Sequence, residues 1–236
     1  DTFKIILSTI LPEGNILINS LHTYGLDITL INEDQTSVYN LLSNHPLYRK
    51  DAAGFAPIES VLIVGGGKIG RTAFQVICWC GLFPGKKINI TIIDKDINTI
   101  KETLSDECPE LVNGKYPVQF YQAEAGTASF ERVLKEHCAE IPYIIVTLGN
   151  DDINIQTAIF LREHYLRESR SLTAAPQIFV RVTDHSRSLV LKKQAEGTPK
   201  LSHALIPFGS NTEVFSAQLL STADFEQIAE KIHTYF

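Results

Sequence analysis

The segment VLIVGGGKIG, residues 61–70, contains glycines whose spacing could bind the phosphates of a nucleotide. Gly65, Gly67 and Gly70 fit the pattern G-x-G-x-x-G, in which the first glycine permits a tight strand-to-helix turn, the second lets backbone approach a pyrophosphate and the third lets the helix pack on the sheet. The helix start offers unpaired N–H groups and positive potential to an anion. Lys68 either approaches a phosphate or lies in solvent.

A carboxylate at the end of the next predicted strand narrows the class of ligand. Asp94 closes the segment INITIID, and a carboxylate there can accept hydrogen bonds from both ribose hydroxyls of an adenosine. Its charge would repel a 2'-phosphate, so NAD(H) or another adenine nucleotide is favoured over NADP. Lys95 either reduces this preference for a ligand without a 2'-phosphate or begins a solvated loop. The alternative interpretation of the glycines is a turn kept only for close helix packing.

Alternating strands and helices must position these residues. Strands are predicted at 60–65, 88–94, 117–123, 142–148, 177–183 and 203–207. Helices are predicted between them at 69–82, 97–106, 128–138, 152–167 and 185–194. This alternation predicts an α/β fold, a Rossmann-like doubly wound parallel sheet. Capping signals support it at Asn150–Asp152 and at Ser210–Glu213.

The chain divides into three predicted parts: a small N-terminal β-α-β-α segment with a linker (1–58), the nucleotide-binding domain (59–208) and a C-terminal helical extension (209–236). In the first part, strands are predicted at FKIILSTI and DITLIN, and helices near 13–23 and from Thr36 or Ser37. Residues 49–59 are predicted to be a linker.

The ends of the sequence suggest a larger protein. The last segment spaces Phe225, Ile228, Ala229 and Ile232 along one helical face, so we expect it to dock or to lead into a further domain. Because the sequence starts with Asp and contains no Met, we expect an excised domain of a longer chain.

Composition excludes several function classes. The 236 residues carry a formal net charge of -6, which offers no basic surface to nucleic acid. The most apolar stretch, residues 73–83, is about half the length a bilayer requires, so no direct membrane insertion is expected. The four cysteines lack metal-site spacing and are interpreted as reduced thiols of a cytoplasmic protein.

The sequence predicts no catalytic and no metal-binding residue, and we expect the chain not to be an enzyme. The fold uses nearly everything from residue 60 to 208, and none of the eight tyrosines has a lysine four positions later. Asp184 and His185 are expected to cap a helix. Two alternatives stay open: the cofactor domain of an NAD-dependent oxidoreductase whose substrate domain lies outside this fragment, and a scaffold that only dimerises.

Five segments together resemble a known family. VLIVGGGKIG, ITIIDKD, FYQAEAGTASFERVL, YIIVTLGNDDINIQTAIFLRE and IFVRVTDHSRS, in this order, resemble the TrkA-N or RCK domain, the regulator of potassium conductance. The resemblance covers residues 60–195. It implies a cytoplasmic sensor of NAD(H), ADP or ATP that forms a homodimer or higher homo-oligomer and regulates an ion (potassium) channel or transporter.

The resemblance also implies the residues of the nucleotide site. The phosphates would be surrounded by Gly65, Gly66, Gly67, Lys68, Ile69 and Gly70. The remaining contacts would come from Asp94 and Lys95 at the ribose, Glu124 and Ala125 at the adenine, Thr147, Leu148, Gly149 and Asn150 along the far side of the cleft, and Arg181 at a phosphate or a neighbouring subunit.

Two features depart from the family pattern. The family usually has Gly-Asp-Ala where this chain has Ala123-Glu124-Ala125. The tail after residue 205 resembles bacterial proteins in which such a domain precedes a ryanodine-receptor-type repeat, which implies an attached effector domain instead of potassium transport.

Overall fold

A computed structural model of the protein describes residues 4–8, 27–51, 54–83, 85–112, 116–168, 175–197 and 204–215. In the N-terminal part, the described residues form two parallel strands, one helix and an antiparallel strand pair. These elements are β1 (Lys4–Ser8), β2 (Asp27–Ile31), α1 (Glu33–Asn44), β3 (Tyr48–Asp51) and β4 (Gly54–Pro57).

Two details of this part correct the sequence-based expectations. Helix α1 begins at Glu33 instead of Thr36 or Ser37, because the Asn32 side chain accepts hydrogen bonds from the N–H groups of Asp34 and Gln35 and caps the helix. The segment 49–59, predicted to be a linker, contains most of the antiparallel pair β3–β4, in which Tyr48 lies opposite Pro57.

A six-stranded, all-parallel sheet forms the main body of the described chain. Its strands are β5 (Ser60–Val64), β6 (Asn89–Asp94), β7 (Val118–Gln122), β8 (Tyr143–Val146), β9 (Gln177–Arg181) and β10 (Leu205–Phe208). Their order is β7-β6-β5-β8-β9-β10, so the connections leave the centre in opposite directions on either side of the β5–β8 pair. This order confirms the Rossmann-like fold and puts the topological switch point at the carboxyl ends of β5 and β8.

Helices cover both faces of the sheet. They are α2 (Lys68–Cys80), α3 (Ile97–Glu107), α4 (Pro109–Val112), α5 (Ala128–His137), α6 (Asp151–Glu168), α7 (His185–Glu196) and α8 (Asn211–Val214). Central strand β5 is apolar and buried from Val61 to Val64, and its side chains alternate between two cores. Val61 and Ile63 pack with α2 and α3, whereas Leu62 and Val64 pack with α5 and α6.

The N-terminal helix α1 belongs to the first of these cores. Val38, Leu41 and Leu42 are buried in the same cluster as Ile63 and Phe179. The helix also contacts α2, β10 and α8. Residues 33–44 therefore share a hydrophobic core with the Rossmann-like sheet, which brings the first turn of α1 close to the glycine loop.

Several smaller expectations concern helix starts and cysteines. Asp184 caps α7 by accepting the Arg187 N–H at 2.8 Å, and Glu213 accepts the Ser210 N–H at 3.2 Å as the capping box requires. No disulfide joins the four cysteines, all of which lie in the described chain. The helices predicted near 13–23 and along 222–236 lie outside the described residues. Among the helices that the structure describes, none combines the length and apolarity needed to cross a bilayer.

Candidate functional site

The glycine loop joins the end of β5 to the start of α2 through close backbone contacts. Gly65 has φ 99°, and a Cβ there would lie 2.6 Å from the carbonyl oxygen of Thr147. A Cβ at Gly70 would lie 1.9 Å from the carbonyl oxygen of Gly65. These two positions therefore require glycine for the strand-to-helix turn and for the packing of α2 on the sheet.

Gly67 differs from Gly65 and Gly70, the other two glycines of the motif, because it is exposed and has space for a side chain. It precedes the first residue of α2, and no heavy atom lies within 4 Å of the place that a Cβ would occupy at this position. The first N–H groups of an α-helix have no acceptor within the helix, and they carry its positive potential. The open space beside Gly67 therefore faces the end of a 13-residue helix that is suited to binding an anion.

Asp94 is bonded directly to the glycine loop. Its Oδ2 accepts the Gly66 N–H at 2.7 Å, and its Oδ1 accepts the Asp96 N–H at 2.8 Å. The parallel pairing of Val64 with Ile93 brings the two carboxyl ends together. A carboxylate offers about four lone-pair positions, so these two bonds leave acceptor capacity on each oxygen.

The turn after β7 adjoins Asp94. The Ala123 N–H donates to the Asp94 carbonyl at 3.1 Å, and Gln122 Nε2 donates to the Lys95 carbonyl at 3.0 Å. Glu124 and Lys95 are exposed and Ala125 is half-buried. The structure thus brings these predicted ribose and adenine residues to one edge of the sheet.

The far side of the switch point is built by the residues after β8. Thr147 is buried, and its hydroxyl donates to the Gly65 carbonyl at 2.8 Å. Leu148 is half-buried, Gly149 is exposed, and the Asn150 side chain accepts the Ile153 N–H at 3.0 Å as a cap of α6. Thr147 and Leu148 therefore meet the glycine loop, whereas Asn150 has a structural bond.

Asn154 supports this side of the site and was missed by sequence reasoning. Its Oδ1 accepts the Leu148 N–H at 2.5 Å, and its Nδ2 donates to the Arg181 carbonyl at 2.9 Å. The side chain is buried, so it holds the ends of β8 and β9 at a fixed spacing. The only signal in the sequence is a polar side chain one turn after the predicted cap.

Asp151 ties the start of α6 to the loop after β9. Its carboxylate accepts the N–H groups of Thr183 and Asp184 and the Thr183 hydroxyl, at 2.9–3.2 Å. Partial burial opposes ionisation, but these donors and the charge of Arg187 outweigh it, and the pKa of Asp151 is lowered from its ordinary value.

We expect Asp151→Asn to lower the free energy of unfolding at pH 7 by about 1–2 kcal/mol, because the amide cannot accept all of these hydrogen bonds. Folding lowers this pKa, so the stabilisation is complete above the unfolded-state value of 3.8 and is lost as the pH falls through the lower folded-state value. Urea denaturation at pH 7, 4 and 3 should show the gap between the two proteins closing. Asp152→Asn, which removes an exposed ion pair with Arg187, is the control; an equal loss in both variants contradicts the prediction.

Two predicted cationic residues contact other parts of the protein. Lys68 Nζ lies 2.7 Å from Asp34 Oδ2 at the start of α1. Arg181 is buried against Gly209, where an added Cβ would lie 1.9 Å from Nη1. Burial lowers the pKa of the Arg181 guanidinium, and the nearby carboxylates, of which Asp34 acts most strongly, oppose that effect.

One cavity lies away from the glycine loop. It measures about 490 Å³ and opens at the edge of β10, between α1 and α7, with Leu41, His45, Lys192 and Phe208 among its lining residues. Within the described residues, no group of three or more His, Cys, Asp or Glu side chains could hold a metal ion.

No protein-family model matches the chain, and a search of curated proteins finds no match to it. The resemblance to the TrkA-N or RCK family stays a prediction that rests on the five sequence segments. The geometry at the carboxyl ends of β5, β6, β7 and β8 is therefore the structural basis for assigning a function.

Proposed function

We propose that this chain is a nucleotide-sensing regulatory domain that binds NAD(H), with ADP or ATP as alternative ligands. The observation that carries the proposal is the bond between Asp94 Oδ2 and the Gly66 N–H beside the open position at Gly67. This bond places Asp94, which could accept hydrogen bonds from a ribose, beside the start of α2, which could bind an anion. Both lie at the switch point of a doubly wound sheet, where ligands of such folds bind.

The pyrophosphate would lie at the start of α2. Gly67 presents no side chain, and the N–H groups of Lys68 and Ile69, which have no acceptor within the helix, belong to the same first turn. Gly65 and Gly70 keep the turn tight behind the ligand. Because the contacts of Gly65 and Gly70 are already formed in the protein, ordering the loop would cost little of the free energy of nucleotide binding.

The adenosine would lie over β6 and β7. Asp94 keeps one free acceptor position on each carboxylate oxygen, which matches the two hydroxyls of an unmodified ribose. The adenine would extend towards the turn at Glu124 and Ala125. A ligand with a 2'-phosphate would place a second anion against Asp94, which disfavours NADP.

Three polar side chains that follow the sheet strands already make structural hydrogen bonds, which favours regulation over catalysis. Asn150 caps α6, Asp151 bonds to the loop after β9, and Asp184 caps α7. The oxidoreductase alternative would use the same nucleotide site and would need an acid–base group from a domain outside this sequence. As a sensor, the domain must bind ligand with different affinity in two arrangements, since equal affinity shifts no equilibrium.

The proposed setting is a cytoplasmic homodimer or higher homo-oligomer that controls an ion (potassium) transport system or an attached effector domain. This part of the proposal rests on the resemblance to the TrkA-N or RCK family. Analysis of the nucleotide released from the purified, denatured protein by mass spectrometry would identify the ligand. Recovery of NADP in place of NAD, ADP or ATP would contradict the proposed role of Asp94.

We expect Asp94→Asn to weaken the binding of NAD and ADP by roughly ten-fold or more, because the amide has no charge and only one of the two acceptor oxygens that the ribose hydroxyls need. Isothermal titration calorimetry with NAD, NADH, ADP and ATP would measure this effect, and thermal unfolding would check that the variant folds. Asp96→Asn is the matched control, since Asp96 is the neighbouring exposed acid and only its backbone N–H bonds to Asp94. Equal affinity of Asp94→Asn and the unchanged protein, or no binding of any of the four nucleotides at millimolar concentration, contradicts the proposal.

A further inference from the structure

The first turn of α1 places a carboxylate on the lysine of the glycine loop. Asp34 Oδ2 lies 2.7 Å from Lys68 Nζ, and the Lys68 side chain is 50% exposed while that of Asp34 is 14% exposed. Asp34 is held there because α1 packs on α2 through the buried residues Val38 and Leu41. An anion supplied by the protein itself therefore sits beside the position proposed for the ligand phosphates.

A second cation lies within electrostatic reach of the same carboxylate. Arg181 is 9% exposed at the end of β9, and its Nη1 has no hydrogen-bond partner within the described part of the chain. A buried, unpaired donor is unfavourable, and among the carboxylates that act on Arg181 the charge of Asp34 has the largest effect. Asp34 is thus bonded to a half-exposed lysine while the Nη1 group of a buried arginine lacks an acceptor.

We propose that Asp34 competes with the ligand phosphate for Lys68, and that a bound nucleotide transfers Asp34 from Lys68 to Arg181. This inference rests on the proposed function, because it needs a phosphate at the glycine loop. The ligand phosphate takes the place of the Asp34 carboxylate at Lys68. The displaced carboxylate then supplies the acceptor that Arg181 Nη1 lacks. Two discrete partners for one carboxylate form the two-state element that a sensor requires.

The first turn of α1 connects this exchange to the N-terminal strands. Asn32 caps the helix directly after β2 ends at Ile31, and the Glu33 carboxylate accepts the Ser8 hydroxyl of β1 at 2.6 Å. Movement of the Asp34 carboxylate from Lys68 to Arg181 would act on the same turn that holds these contacts. The β1–β2 pair is therefore the part of the described chain to which nucleotide binding would be transmitted.

A double-mutant cycle on nucleotide affinity tests the competition. Asp34→Asn should tighten the binding of ADP and NAD by about two- to five-fold, which corresponds to the release of a partly exposed ion pair. In a Lys68→Gln background, the same substitution should change the affinity by less than about 1.5-fold, because the contested cation is gone. Asp106→Asn is the control: it removes one exposed negative charge from α3 that forms no ion pair with Lys68, and it should leave the affinity within about 1.5-fold of the unchanged protein.

A spectroscopic measurement tests the transfer to Arg181. In protein labelled with nitrogen-15 at arginine, addition of ADP should shift the Arg181 Nη resonances in the unchanged protein and leave them in place in Asp34→Asn. An unchanged Arg181 signal on ligand binding overturns the transfer.

The outcomes separate this inference from the proposed function. Nucleotide binding that Asp34→Asn leaves unaltered, or that it strengthens equally with and without Lys68, overturns the competition and leaves the nucleotide site standing. Failure of ADP and NAD to bind any of the proteins overturns both.

Discussion

Replacement of Gly70 by alanine should destabilise the domain by about 3 kcal/mol or more, as expected for overpacking against rigid backbone. The added Cβ would lie 1.9 Å from the Gly65 carbonyl oxygen and 3.1 Å from the Thr147 hydroxyl oxygen. Neither neighbour can move easily, because the Thr147 hydroxyl donates to that same carbonyl and Gly65 already has φ 99°. Urea denaturation monitored by circular dichroism would measure the loss.

Gly67→Ala is the matched control within the same loop. No heavy atom lies within 4 Å of the added Cβ, and φ at Gly67 is -61°, outside the left-handed region that favours glycine. We expect this variant to unfold within about 0.5 kcal/mol of the unchanged protein. Equal stability of the Gly70→Ala and Gly67→Ala variants would show that the loop backbone can relax and that the close packing of α2 does not require glycine.

The sequence was sufficient to predict the main sheet and the approach of Asp94 to the glycine loop. Both follow from local signals: apolar runs of strand length, and a glycine or a carboxylate placed where a strand ends. In a parallel sheet the carboxyl ends of neighbouring strands meet, so Gly65 and Asp94 had to be adjacent once β5 and β6 were paired. The start of α1 could also have been predicted, since asparagine, here Asn32, is a preferred residue at the N-terminal cap of a helix.

The contacts made by the N-terminal part could not be predicted in this way. The pairing of Asp34 with Lys68 depends on which face of the main sheet α1 covers, and the apolar stripe of α1 does not specify its partner. The hairpin at residues 48–57 has charged residues in place of an alternating apolar pattern, so the segment resembled a linker. These are tertiary choices, made by long-range packing and not by local sequence.

Asn154 belongs to the same class of unpredictable contact, and its removal is expected to have the second large effect. Asn154→Ala should lower the free energy of unfolding by about 2–4 kcal/mol, because the Leu148 N–H and the Arg181 carbonyl both lose their partner. Asn154 is 1% exposed, so water cannot replace these bonds without opening the contact between α6 and the sheet. Urea denaturation would measure the loss, and hydrogen exchange at the Leu148 amide should become faster.

Asn150→Ala provides the comparison, because Asn150 is an exposed asparagine one turn earlier in the same segment. Its side chain accepts a single N–H, from Ile153, so its loss should cost about 1 kcal/mol, as is typical of a helix cap. A loss for Asn154→Ala no greater than that for Asn150→Ala would mean that the ends of β8 and β9 are held by the sheet alone. If Asn154 does hold them, its side chain connects the Leu148 N–H to the Arg181 carbonyl. Any ligand that contacts Leu148 then acts on Arg181 through this one side chain.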